Sequence, residues 1–250
     1  MKNNKVSIIT PSYNSSHFIQ ATIQSVLKQT YTDWEMIIVD DCSKDKSIEL
    51  INSLILNDDR IQLIALETNV GAAEARNIAL RKAKGRFIAF LDSDDVWYPQ
   101  KLGVQLDFMI RNNYEFTFSS YDLMSEDGIK LNKVINVPNT INYHQYLRNT
   151  IIGCLTVIID KEKVGYFEMP NIKSSHDMAL WLLIMKRGFK AHGINELLAS
   201  YRLVSNSNTA KKWKAAADVW KVYRKIENLS LIKAVYSFVG YACNALLKRF

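Results

Sequence analysis

Apolar positions along the chain fall into short runs that alternate with stretches of helical spacing. Val6-Ser7-Ile8-Ile9-Thr10 is a β-prone run that Pro11 is expected to stop. Phe18, Ile19, Thr22, Ile23, Val26 and Leu27 recur at helical spacing within residues 15–29. Trp34–Val39 reads as a buried strand ending in Asp40-Asp41-Cys42-Ser43, and Asp45 is placed to cap a helix through Leu56. Ile61–Leu66 is a third strand, Asn69-Val70-Gly71 a turn, and Ala72–Ala83 an alanine-rich helix. Arg86–Leu91 is a fourth strand, and it runs into Asp92-Ser93-Asp94-Asp95.

The second half is less regular. Tyr114–Leu123 reads as a strand, Asp127-Gly128 as a turn and Ile151–Ile159 as another apolar strand. Met178–Lys186 is an apolar helix after Asp177, Leu197–Leu203 a last short strand, and Ser205-Asn206-Ser207-Asn208 a loop. Strands alternating with helices predict an α/β fold around a mostly parallel sheet, whose ligands bind beyond the carboxyl ends of the strands. Three segments carry polar or acidic residues at such ends: Pro11-Ser12-Tyr13-Asn14, Asp40-Asp41 and Asp92–Asp95.

Composition is that of an ordinary globular chain: 250 residues, 48% hydrophobic and 23% charged, without repeats or low-complexity tracts. Charge changes the picture more. Residues 211–250 hold nine basic residues (Lys211, Lys212, Lys214, Lys221, Arg224, Lys225, Lys233, Lys248, Arg249) against Asp218 and Glu227, so the net charge of +7 resides there. The remaining residues balance. A body over 1–208 and a basic tail over 209–250 are therefore expected.

Lys233 and Asn244 interrupt the apolar stretch Leu229–Phe250, which argues against a membrane span and for an amphipathic helix at the inner face of the membrane. A helix packed on the body, or a homodimer contact, are the alternatives. No aromatic-interleaved basic surface suggests nucleic acid. Cys42, Cys154 and Cys243 form no metal or disulfide spacing, and the N-terminus has no signal-peptide layout; both point to the cytoplasm.

Diphosphates are anionic, so the carboxylates of Asp92–Asp95 can meet one only through a divalent cation. The competing role is a helix cap from Asp94 or Asp95. The ordered series Val6–Asn14, Gln29-Thr30-Tyr31 to Trp34-Glu35, Val39–Ser43, Asn69–Asn77 and Leu91–Asp95 resembles a family 2 glycosyltransferase. The likeness covers about residues 5–205 and implies a catalytic unit over 1–208, with a nucleotide-binding half to about 100 and an acceptor-binding half over 101–208. It implies a GT-A fold, a nucleotide-sugar donor, a Mg²⁺ or Mn²⁺ ion and inversion at the anomeric carbon.

The resemblance also implies roles. Pro11 and Tyr13 would line the base pocket, Asp41 would accept from a uracil N–H, and Asp40 is a lesser candidate beside it. Arg76 would lie near the diphosphate. Asp92 and Asp94 form the DxD pair, with Asp94 and Asp95 the metal-side candidates. The family's catalytic base comes from a Glu-Asp pair before an apolar helix with a Leu-Trp step. Here that stretch is Ser174–Leu182, with Asp177 as base and His176 in place of the glutamate. His176 would orient the base or touch the acceptor, and Trp181 would belong to the core or the acceptor-pocket wall. Arg202, before the Ser205-Asn206-Ser207 loop, would touch phosphate.

Stretches around Met169–Ile172, Gly188–Ala191 and Asn195-Glu196 are similar to bacterial members that build surface polysaccharides, including those of the teichuronic acid pathway. The loop after the first strand, Pro11-Ser12-Tyr13-Asn14, has no glycine, which weighs against a nucleotidyltransferase or a Rossmann dehydrogenase. A nucleotide-sugar-binding subunit without activity is disfavoured by the intact Asp94, Asp95 and Asp177. Sugar and acceptor choice fall to residues 115–175, where no pattern singles out a side chain.

Overall fold

The computed structural model describes residues 4–56, 58–204 and 212–247. Its elements in chain order are β1 (Val6–Ser12), α1 (Ile19–Leu27), β2 (Trp34–Asp40), α2 (Ser47–Ile55), β3 (Ile61–Ala65), α3 (Ala72–Lys82), β4 (Phe87–Phe90) and β5 (Val96–Trp97). There follow α4 (Lys101–Asn112), β6 (Phe116–Met124), β7 (Lys130–Ile135), β8 (Thr140–Ile141), α5 (Tyr143–Arg148), β9 (Ile158–Asp160), α6 (Lys161–Val164), α7 (His176–Lys186), β10 (Ala191–Arg202), α8 (Lys212–Lys221) and α9 (Leu231–Leu247).

One sheet runs in the order β3-β2-β1-β4-β9-β6-β10-β5, with β7 beside β6 and β8 beside β10. The β3-β2-β1-β4 half is parallel throughout. Beyond it the sheet is mixed: β9 pairs antiparallel with β4 and β6, while β6 and β10 run parallel. Strand alternation divides the core. Ile9, Ile37 and Val39 face the side covered by α3 and α7, and Ile8, Met36 and Ile38 face α1, α2 and α4.

Three expectations need correction. Pro11 does not stop β1, which continues to Ser12 and pairs Pro11 with Val39. Ile9 receives the Leu91 N–H on the β4 side, so Pro11, two residues on, faces that side too, and β4 pairing has ended by then. Its missing N–H therefore leaves no ladder bond unmade. Ile151–Ile159 is not one strand: Cys154–Thr156 forms a short 3₁₀ turn, and only Ile158–Asp160 joins the sheet. The last strand is longer than its apolar run, because register shifts between Ile194 and Ala199 absorb the polar Asn195-Glu196 pair.

The tail is two helices, α8 and α9, joined through a widened turn at Val222–Ile226. Val219, Val222, Tyr223 and Ala234 are buried in the same core as α3 and α7, so the tail packs on the body. Gly240 sits against the Arg148 stem on α5, and a Cβ there would lie 2.9 Å from both Arg148 Cβ and Cγ. Among the described residues no helix is long and apolar enough to cross a membrane. Lys211, Lys248, Arg249 and the Ser205-Asn206-Ser207 loop lie outside the described residues.

Candidate active site

The carboxyl ends of β1, β2 and β4 are adjacent, as their parallel pairing requires, and this gathers the three polar segments on one edge. Tyr13 and Asn14 leave β1 in an exposed turn, with Asn14 at φ 48° and the Tyr13 ring 52% accessible. Asp40 is fully buried. Ser43 N–H donates to its Oδ1, and the hydroxyls of Ser12 and Ser43 donate to its Oδ2. Its carboxylate is therefore committed to holding the β1 and β2 ends together.

Asp41 accepts from Val70 N–H at 2.7 Å and Gly71 N–H at 2.9 Å, one on each carboxylate oxygen. Gly71 has φ 88°, a left-handed conformation that a side chain resists, and it delivers its N–H from the N-terminus of α3. Each Asp41 oxygen retains a further lone pair.

The acidic turn is anchored from α1. Thr22 Oγ1 donates to the carbonyls of Ser93 and Asp95, and Asp95 N–H donates to Asp92 O. Asp94 and Asp95 cap no helix, since α4 begins after Gln100 without a side-chain cap. Asp95 is buried. Its Oδ1 accepts from Arg202 N–H at 2.8 Å, and its Oδ2 is buried without a partner among the described residues. Burial, reinforced by Asp94 and Asp92, raises the Asp95 pKa well above the ordinary carboxylate range. Burial and the Asp92 carboxylate push Asp94 up to about 6.

Arg76, on α3, is buried beside this turn. Its Nη2 pairs with Asp92, and its Nη1 donates to His176 Nε2 at 2.6 Å. Burial opposes the charge, but the Asp92 carboxylate outweighs it and raises the Arg76 pKa. Because a guanidinium only donates, His176 Nε2 must accept, which places the imidazole proton on Nδ1. Burial and then Arg76 lower the His176 pKa, so the ring is neutral. Asp177 follows in the first turn of α7, within electrostatic reach of Arg76, Tyr146 and Cys154. The helix starts at Ser175 with no side-chain cap, so Asp177 is not held as one.

Asp92, Asp95 and Asp177 line one open cavity of about 650 Å³. Its other wall is Tyr121, Tyr201 and the Thr150–Leu155 segment. These are the residues the sequence did not single out. Cys154 lies among them, but burial and the Asp92 charge raise its pKa well up, leaving a neutral thiol. The segment is braced from behind. Lys101 Nζ donates to Thr156 O at 3.2 Å and to Gln105 Oε1 at 2.6 Å, Gln105 Nε2 donates to Thr156 O, and Trp97 Nε1 donates to Leu155 O. Lys101 is fully buried, and that burial pushes its pKa down to about 7.

Trp181 and Arg202 do not line the cavity. Trp181 is fully buried against Phe90 and Phe116, in the core and not on the cavity wall. Arg202 uses its guanidinium on carbonyls: Nε donates to Asp94 O at 2.7 Å and Nη1 to Glu126 O at 2.8 Å. It braces the acidic turn.

Among the described residues no three His, Cys, Asp or Glu side chains converge as a complete cation cage. That suits Mg²⁺ or Mn²⁺ held by one or two carboxylates together with substrate phosphates and water. The unpartnered Asp95 Oδ2 and the raised pKa of Asp94 mark carboxylates that a cation would relieve. The residues present fit such an ion.

Comparison with known proteins agrees with this layout. Residues 7–167 match the model of glycosyl transferase family 2. The chain is 52% identical over 244 residues to TuaG of Bacillus subtilis (strain 168), which bears the name of a teichuronic acid biosynthesis glycosyltransferase, covering 98% of this chain and 97% of that one. It is 42% identical over 218 residues to WfgD of Escherichia coli, a UDP-Glc:alpha-D-GlcNAc-diphosphoundecaprenol beta-1,3-glucosyltransferase, covering 87% and 84%. Among solved structures, S. aureus TarS 1-349 in complex with UDP-GlcNAc superposes with a TM-score of 0.70 at 19% identity, covering 95% of this chain and 71% of that one. The mannosyltransferase PcManGT of Pyrobaculum calidifontis, in complex with GDP-Man and Mn2+, superposes at 0.71 and 15% identity, covering 98% and 74%. The fold is GT-A, and the chain belongs to glycosyl transferase family 2.

Proposed function

We propose that the protein is an inverting, metal-dependent glycosyltransferase that moves a sugar from a UDP-sugar to a glycan or lipid-linked acceptor in surface polysaccharide synthesis. The observation that carries this reading is the single cavity bounded by Asp177 on one element and by Asp92 and Asp95 on another. A base and a diphosphate-side cluster face the same space, as direct displacement requires. The names of TuaG and WfgD support the polysaccharide setting, and WfgD supports a UDP-sugar and a lipid diphosphate acceptor.

In this reading the Tyr13 ring stacks on the base, which its exposure permits, and Pro11 completes that pocket. Asp41 takes a uracil N–H on a remaining lone pair while its occupied ones fix its position. Asp94 and Asp95 would hold the ion, Asp95 through the Oδ2 that the Arg202 N–H leaves free, because Asp92 is engaged by Arg76. The bound ion supplies charge neutralisation at the diphosphate. Arg76 stabilises charge there from its fixed place between Asp92 and His176.

Asp177 removes the acceptor hydroxyl's proton as that oxygen bonds to the anomeric carbon. The carbon–oxygen bond to the diphosphate breaks, and UDP leaves with the electron pair. The apolar Ile151, Ile152 and Leu155 wall limits competing water. Purified protein given Mn²⁺ and a panel of UDP-sugars tests this: release of UDP and transfer to a diphospholipid acceptor, lost on metal removal, are expected. Transfer unaffected by chelation would overturn metal dependence, and retained anomeric configuration in the product would overturn inversion.

The tail supports peripheral attachment at the inner membrane face. Leu231, Ile232, Val235, Tyr236 and Val239 remain exposed on α9 after its other face has docked.

A further inference from the structure

α9 has two apolar faces. Ala234 and Ser237 are buried, with Phe238 and Tyr241 packed against the core beside them. The exposed Leu231, Ile232, Val235, Tyr236 and Val239 recur three and four residues apart and form a continuous stripe. Beside that stripe a groove of about 560 Å³ opens between α5, the end of α7 and α9.

Arg148, Lys186 and Lys233 line the groove, and Glu227 is its one carboxylate. Glu227 is already committed, since Lys186 Nζ at 3.1 Å and the Tyr143 hydroxyl at 2.5 Å both donate to its Oε2. The Arg148 guanidinium reaches the Tyr236 hydroxyl and the His144 carbonyl, and no carboxylate among the described residues. Lys233 makes no ion pair among the described residues, although it stands on the stripe's own helix. The groove therefore holds an excess of two positive charges at the polar margin of an apolar face.

We infer that this groove takes the phosphate of an anionic phospholipid headgroup while the adjacent stripe enters the bilayer. The inference rests on the peripheral attachment proposed above and adds a specific binding site to it. Cations bordering an exposed apolar helix face match an anionic lipid surface in both charge and polarity. A free phosphate has no use for the stripe. A second copy of the chain, paired about a two-fold axis, would set the basic tail against itself.

The site also has a defined relation to the chemistry. Lys186 ends α7 and Asp177 lies in its first turn, a separation of roughly 14 Å along the helix axis. α5 ends at Arg148, two residues before the cavity wall starts at Thr150. A headgroup in the groove would hold the cavity at a fixed height above the lipid surface.

Sedimentation with vesicles tests the inference. Vesicles of phosphatidylcholine with about one-third phosphatidylglycerol should bind the full chain, and pure phosphatidylcholine much less. The double variant Arg148→Gln, Lys233→Gln should lose more than about tenfold in affinity, at roughly fivefold per charge. The control pair Lys221→Gln, Lys225→Gln, in the same tail but outside the groove, should lose less than about threefold. Thermal melting checks that each variant is folded.

Equal losses from both pairs would overturn the groove and leave general attachment standing. No binding of the unaltered chain to anionic vesicles would overturn both. Inorganic phosphate displacing the protein from vesicles at constant ionic strength would make the groove a soluble-anion site and overturn the lipid assignment. If Ile232→Ser with Val235→Ser dissociated a dimer and left vesicle binding unchanged, the stripe would belong to a second copy, and the inference would fall.

Discussion

Arg76 Nη1 donates to His176 Nε2 at 2.6 Å, joining α3 to the first residue of α7. The contact ties the guanidinium that holds Asp92 to the neighbour of Asp177. His176→Ala would leave a buried guanidinium N–H without an acceptor, at a cost of about 1–3 kcal/mol. Melting temperature and kcat should both fall. His176→Gln, which restores an acceptor oxygen, should recover most of both. Full activity in His176→Ala would remove the contact from the mechanism.

Asp177→Asn keeps the shape of the site and removes the proposed base. Transfer should fall by roughly 10²–10⁴-fold, the range for loss of a general base. UDP affinity by calorimetry should change less than about twofold, because the proposed role of Asp177 is toward the acceptor and not the nucleotide. Wild-type turnover in this variant would contradict the assigned chemistry.

Burial and the Asp92 carboxylate raise the pKa of Asp94 to about 6, and burial with the Asp94 and Asp92 carboxylates raises that of Asp95. Unfolded carboxylates titrate lower, near 4. The stability these groups contribute is therefore full below that value and is lost as pH rises through about 6. The metal-free protein should melt at a lower temperature at pH 7 than at pH 5. Added Mn²⁺ should restore stability above about pH 6 and do little below it, where protons compete for the carboxylates. Asp94→Asn should flatten this dependence and abolish metal-stimulated transfer.

Lys101 is a buried ammonium with amide and carbonyl partners and no carboxylate. Its pKa falls from near 10.5 in the unfolded chain to about 7. Stability from this group is full above the unfolded value, falls as pH drops toward about 7, and is level below that. Lys101→Met should remove this slope from melting temperatures measured between neutral and alkaline pH. It should also raise KM for acceptor more than it lowers affinity for UDP, because Thr156 adjoins the Thr150–Leu155 wall of the cavity proposed for the transfer.

The parallel half of the sheet was legible because each of its strands is a compact apolar run ending in a polar turn. The acidic turn after β4 stood out as a polar strand end for the same reason, whereas Asp177 was singled out by the family resemblance. The Arg76–His176 contact was not, since it joins residues 100 positions apart and neither neighbourhood signals the other. Ile151–Ile159 read as a strand because an apolar run does not reveal a turn hidden at Cys154–Thr156. Asp40, Trp181 and Arg202 sit in motif positions, but their polar atoms or rings are engaged within the protein. The tail's charge was visible in sequence; the packing of Val222 and Tyr223 into the main core depended on a tertiary surface.

β10 has a consequence for how the molecule comes into being. It lies between β6 and β5 and is the last strand of the sheet in chain order. Its final residue, Arg202, donates to Asp95 across 107 positions of chain. During synthesis the parallel half can form first from local pairings, while the acidic turn lacks its brace until residue 202 has emerged. Long-range pairing of this kind forms slowly. A nascent chain would therefore present the ends of β1 and β2 well before the acidic turn is finished, and competence for chemistry would arrive as one of the last folding events.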